Sequence, residues 1–268
     1  MTTMTAPARP VYRLTTRGVL AGEWTKFWSL RSTWITLAVS AFLLVAVGLI
    51  AAASFDPADS RGPGSAAGDV VALVLSGSTF GALAVGVLGV LLAAGEYSTG
   101  MIRSTLTAVP SRLPVLWSKA AIAGGIAFVV MTAAAFVAFF AGSPLAGDAM
   151  ATLRLGDDGV LRALFGAGLY LGLVAVFGVA LGALVRSSAG GIAILAGLLL
   201  IVPTLVMLLP DSWAENITPY LPSNAGSAIM SLTTADTSLG PWTGLAVFAA
   251  WVAAALGAAA YRLAKSDA

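Results

Sequence analysis

Six stretches of the chain contain no Asp, Glu, Lys or Arg, and each is long enough to cross a bilayer. They cover residues 32–55, 70–95, 120–147, 163–185, 187–210 and 237–261, none shorter than 23 residues. About 20 apolar residues suffice for a helix to span the hydrocarbon core. An ionised side chain at its centre costs about 2.5 to 3.5 kcal/mol on insertion scales, so charge-free runs of this length carry information. The expected fold is all-α and polytopic, with transmembrane helices at about 33–54, 70–94, 119–142, 162–185, 190–209 and 242–263. They form one membrane domain over 18–268, preceded by a loose tail, 1–17, rich in Thr, Pro and Arg.

Only 10% of residues are charged and the mean hydropathy is +0.94, against about 25% charged in an ordinary soluble domain. Cysteine and histidine are both absent. That removes disulfides and zinc thiolates, and with them the commonest general base and metal ligand. The net charge of +2 is thinly spread. The basic residues therefore read as determinants of orientation, with no nucleic-acid partner implied.

The charges between the spans alternate in kind. With a cytoplasmic amino terminus, the inner segments hold eleven of the fourteen basic residues, and the outer ones hold only Arg61, Arg154 and Arg162 among nine acids. Both termini are expected inside, by the excess of Lys and Arg there. Trp34, Trp117, Trp213 and Trp242 fall near span ends, as interfacial rings do. Trp251 lies mid-span, where packing is the expected reason. Ala51 and Ala53 resemble a signal cleavage site, but the apolar run is too long for a signal core, and a retained anchor is expected.

Before the first span, Leu20, Trp24, Phe27 and Trp28 recur at i, i+4, i+7 and i+8. This is the stripe of an amphipathic helix that would lie in the headgroup region, ending at Arg31. Glu23 and Lys26 can pair beside it. Gly77 with Gly81, Gly168 with Gly172, and Gly178 with Gly182 have GxxxG spacing. Packing within the chain is the default reading of such pairs. The six residues around Arg186 must form a tight hairpin, and 211–240, broken by Pro219 and Pro222, reads as an external cap or a re-entrant segment.

The longest polar segment between spans on the inner side is GEYSTGMIRSTLTAVPSRLPVLWSK, residues 95–119. Glu96 is its one acid, beside Arg103, and is expected to pair with a basic neighbour or to cap the following helix. Arg112 and Lys119 flank the entry to the third span. This segment and AGEWTKFWSLRSTW, residues 21–34, resemble the permease subunits of bacterial type-2 ATP-binding-cassette exporters of the small six-span kind. The resemblance implies an interfacial helix first and a coupling helix in the second segment, docked on a separate ATPase. The family's pattern of acid, glycine, basic residue, proline, arginine and lysine falls on Glu96, Gly100, Arg103, Pro110, Arg112 and Lys119. It also implies a second permease chain, in a homodimer or with a sister subunit. Cofactors, ATP and Mg, would belong to the partner, since GxxxxGK[ST] is missing and none of the three lysines follows a glycine.

Two other classes fit less well. An ion-driven carrier needs ionisable groups within spans or broken helices at mid-depth, and the six windows hold no such groups. An intramembrane hydrolase built on Ser76 or Ser78 lacks a histidine base, leaving only Lys26, Lys119 or Lys265. A non-transporting membrane anchor would have the same sequence features. The cargo is not legible.

Overall fold

The computed structural model describes residues 15–54, 71–101, 113–146, 154–232 and 239–265. Among them there is no strand, and six helices are long and apolar enough to cross a membrane. The chain is an all-α, multi-pass membrane protein.

Helix α1 (Thr16–Ser29) is capped by the Thr15 hydroxyl, which accepts from the Gly18 N–H at 3.2 Å. Leu30 then turns extended, at φ −90° and ψ 110°, and α2 (Arg31–Ala53) begins. The two are therefore separate helices. Across the break Trp28 and Trp34 stack with centroids 4.2 Å apart, and the Trp34 indole N–H donates to the Trp28 carbonyl. The second span runs Val71–Ser98. Its regular part is α3 (Ser78–Ser98), preceded by a tight turn at 75–77 where a Cβ on Gly77 would strike the α2 backbone at Leu44. The third span, α4 (Leu113–Gly142), carries Pro114 in its first turn, where a missing N–H costs nothing.

Helix α5 (Val160–Val185) is the centre of the bundle: 72% of its apolar stretch is buried, against 28% in α2. It packs on both α3 and α4. The glycines make this possible. A Cβ on Gly178 would strike the Gly86 carbonyl of α3, and one on Gly168 would strike the Thr132 hydroxyl of α4. Gly77 meets the α2 backbone, and Gly81 lies between the Met131 side chain of α4 and α2 at Ser40, so all three spaced pairs serve packing within the chain, as van der Waals contact in lipid requires.

Arg186 ends α5 in the left-handed region, at φ 61°, and Ser187 caps α6 (Ser188–Ala196), giving the expected hairpin. The fifth span ends earlier than expected, at Val206 rather than 209. It also widens into a π turn over Gly197–Ile201 before α7 (Val202–Val206). Pro203 supplies the reason, because it cannot donate to the carbonyl one turn back.

The 211–240 region divides. Helix α8 (Asp211–Ile217) has no buried residue, whereas Leu221, Ala225, Ile229 and Met230, in and around α9 (Pro222–Ser227), are buried. Gly226 sits against the rings of Tyr170 and Phe248. Tyr170 lies ten residues into α5, about 15 Å along its axis, so this part packs well inside the end of the central helix. Trp251 of α10 (Pro241–Lys265) donates its indole N–H to the Tyr220 carbonyl at 3.1 Å. That bond, rather than packing alone, accounts for a tryptophan at mid-span.

Candidate functional site

The first ingredient is a carboxylate at the end of an apolar helix. Glu96 sits in the last turn of α3 and is buried at 6% exposure. The second is a lysine inside a helix. Because α4 starts at Leu113, Lys119 lies six residues in, about 9 Å along the axis, and does not merely flank the entry to the span as expected. It too is buried. The third comes from α1, which turns Glu23 inward on the same face as Phe27.

These residues meet as one cluster. Lys119 Nζ donates to Glu23 Oε2 at 2.7 Å and to Glu96 Oε1 at 2.8 Å. Lys26 Nζ donates to Glu23 Oε1 at 2.8 Å and to Glu96 Oε1 at 3.1 Å. Among the described residues, two carboxylates thus face two ammonium groups. Burial raises the Glu23 carboxyl, but Lys119 and Lys26 outweigh it and hold the group below its ordinary value. For Lys26 burial pulls downward, and Glu23 with Glu96 outweighs it in the other direction. One atom is left out: Glu96 Oε2 is buried without a hydrogen-bond partner among the described residues.

A cavity of about 270 Å³ adjoins the cluster. Leu88, Leu91 and Leu92 of α3 form its apolar side with Phe27 and Ile122, and the four charged residues form its polar end. Phe27 also packs with Leu37, Leu88 and Ile122 in a small core of their own.

Of the residues singled out from sequence, Glu96 and Lys119 come together here. Gly100 closes the end of α3 at φ 71°, a left-handed turn that suits glycine. Arg103, Pro110 and Arg112 lie outside the described residues, as does the tail 1–14. The expected Glu96–Arg103 neighbourhood falls there too; within the described residues the partners of Glu96 are Lys26 and Lys119. The aromatic stripe on α1 is divided. Leu20, Trp24 and Trp28 are exposed, while Phe27 is buried, because Glu23 is drawn inward by the lysines and carries Phe27 one turn away with it. Arg31 opens α2 and is exposed. What the sequence reading missed is the burial of Glu23 and its link to Lys119. The signal was faint: an acid one turn before a phenylalanine on an amphipathic helix.

Other basic residues at this end bridge helices. Arg262 donates to the Leu184 carbonyl, and the Arg186 guanidinium lies 5.2 Å from the Tyr97 ring centre. The serines considered for hydrolysis, Ser76 and Ser78, lie at the opposite end of the second span from Glu96. Lys26 and Lys119, their candidate bases, are bound to carboxylates there.

The fold and this cluster define a multi-pass helical membrane protein with a largely buried ion cluster at one end. A scan of family models finds none that matches the chain, and comparison with curated proteins finds no relative.

Proposed function

We propose that the chain is the membrane-spanning permease subunit of an ATP-binding-cassette exporter, placed in a bacterial plasma membrane with both termini cytoplasmic. One observation carries the reading: a single ion cluster ties α1, the end of α3 and the start of α4 together. The segment between α3 and α4 includes Arg103, Pro110 and Arg112, the residues that resemble a coupling helix. A separate ATPase pressing on that segment would move three helices as one body. Two permease chains would enclose the path, and ATP with Mg would be bound by the ATPase.

The test is co-purification with an ATPase encoded by a neighbouring reading frame, together with its ATP turnover. Arg103→Ala is expected to leave membrane insertion intact and to lower coupled turnover by about tenfold, the effect of losing about 1.4 kcal/mol. Unchanged binding and turnover would count against the coupling role.

A second reading, an ion-driven carrier, draws on the same buried carboxylates, since ionisable groups near a span end can relay protons. Cargo movement by the isolated chain in proteoliposomes under an imposed proton gradient would establish it instead.

A further inference from the structure

We infer that a hollow between α3, α5, α7 and α9 holds an uncharged, lipid-soluble carbonyl compound of the ketone, quinone or ester type. The inference does not rest on the transporter reading. The hollow has a volume of about 210 Å³ and lies where the fifth span widens. Leu199 and Leu200 of the π turn, with Pro203 just beyond it, form its apolar wall. Turns of this kind inside a helix are frequent at functional sites.

The opposite wall carries two O–H groups without acceptors. Tyr170 and Ser78 line the hollow and are buried, at 3% and 5% exposure. Neither hydroxyl makes a hydrogen bond among the described residues, and neither oxygen is sealed off from the hollow. Their neighbours differ. Thr204 donates to the Leu200 carbonyl at 2.8 Å, Ser227 to the Asn224 carbonyl at 3.2 Å and Ser223 to Asn224 Oδ1 at 3.3 Å. A helical serine can bond back to a carbonyl one turn earlier, as Thr204 does, yet Ser78 leaves its O–H unspent. The Tyr170 ring is held by Gly226, where a Cβ would strike it, and by Phe248, with ring centres 5.3 Å apart. A buried tyrosine hydroxyl ordinarily finds a partner. Here the acceptor has to come from within the hollow.

Charge, size and access restrict the ligand. Among the described residues no charged side chain lines the hollow, so an ion would enter it unpaired. Two spare donors call for oxygen lone pairs with no hydrogen of their own, which a carbonyl supplies. A dry cavity of about 150 Å³ takes benzene, so this one has room for a ring bearing a carbonyl group. Thr79, Leu200 and Thr204 are exposed, so the hollow opens on the outer surface of the bundle. Tyr170 stands about 15 Å along α5, well inside the span, and a solute reaching that depth from outside the bundle crosses hydrocarbon first.

Photolabelling with benzophenone tests this. The full chain, in nanodiscs of ether-linked phosphatidylcholine that carry no ester carbonyl, is irradiated with the probe, and labelled residues are mapped by mass spectrometry. Leu199, Leu200 and Pro203 should take label about fivefold above exposed Phe42 and Val129, and Tyr170→Phe should remove that excess, the size of one lost hydrogen bond. Should Tyr170→Phe fail to fold, Ser78→Ala answers in its place with the same expected loss. Excess acetophenone should compete. Diphenylmethane, which has the two rings and no oxygen, and charged benzoate should not. Labelling in ester-linked lipid should match that in ether-linked lipid; its loss there would assign the hollow to the bilayer's own lipid and overturn the inference. So would labelling no higher than at Phe42, which would leave the hollow to water, indifference to both substitutions, or equal competition by diphenylmethane or benzoate.

Discussion

At one end of the bundle Arg162 holds main chain; at the other, four side chains hold one another. The Arg162 guanidinium, at the start of α5, donates to the Ile229 and Ser231 carbonyls at 2.9 Å each and so fixes the segment after α9 to the central helix. Carbonyls belong to the fold and have nowhere else to go. The α1 end is different, because ammonium and carboxylate groups on α1, α3 and α4 can exchange partners by changing rotamers. Leu30, extended between α1 and α2, leaves α1 attached to the first span by one non-helical residue. One end is held by fixed main-chain acceptors, and the other by side chains alone.

The comparison can be broken most directly at Lys119. Lys119→Met leaves Glu23 and Glu96 buried with only Lys26 between them, and removing one partner of a buried ion pair costs about 3 to 5 kcal/mol. Unfolding of the protein in detergent, followed by tryptophan fluorescence, should show that loss. A variant as stable as the wild type would mean the node contributes nothing. Arg162→Ala removes two charge-assisted hydrogen bonds from a partly exposed site and should cost about 1 to 3 kcal/mol. Its effect should be local: amide exchange in 218–232 accelerates while α1 keeps its protection. If α1 loosens as well, the two ends are coupled and the contrast fails.

The smallest effect is the response to acid. Glu23, facing Lys119 and Lys26, has its folded pKa below the ordinary 4.5. Its contribution is therefore present above the unfolded value and lost as pH falls through the folded one. The α1 helix should stay docked at neutral pH and release only below about 4.5, read from the fluorescence of exposed Trp24 and Trp28. In Glu23→Gln this step should disappear.

The six spans were legible because length and absence of charge are local properties, and Arg31–Ala53 begins within two residues of the expected start. The early start of α4 was hidden by Pro114, which reads as a helix breaker yet is tolerated in a first turn. The early end of the fifth span, at Val206, follows the widening that Pro203 causes upstream, and proline position alone does not say how a helix will yield. The node itself needed three segments brought together. Glu96 and Lys119 were visible as charges at the edges of apolar runs, whereas Glu23 on an aromatic-striped helix looked like a surface residue. Only the docking of α1 on α4, with Phe27 as its apolar anchor, shows which way that helix turns.

The wide turn at Gly197–Ile201 has a consequence of its own for the far half of the bundle. One residue fits into the helix without lengthening it by a full repeat, so everything beyond is rotated by about 100°, the angle a single residue subtends at 3.6 per turn. Thr204 thereby joins Ser78, Tyr170 and Ser223 among the residues around a small hollow of mixed lining, where an unbroken helix would aim a different side chain. Deleting one residue there would leave the span's hydropathy almost untouched and yet carry Thr204 away from that hollow, a change invisible to any reading of apolar length.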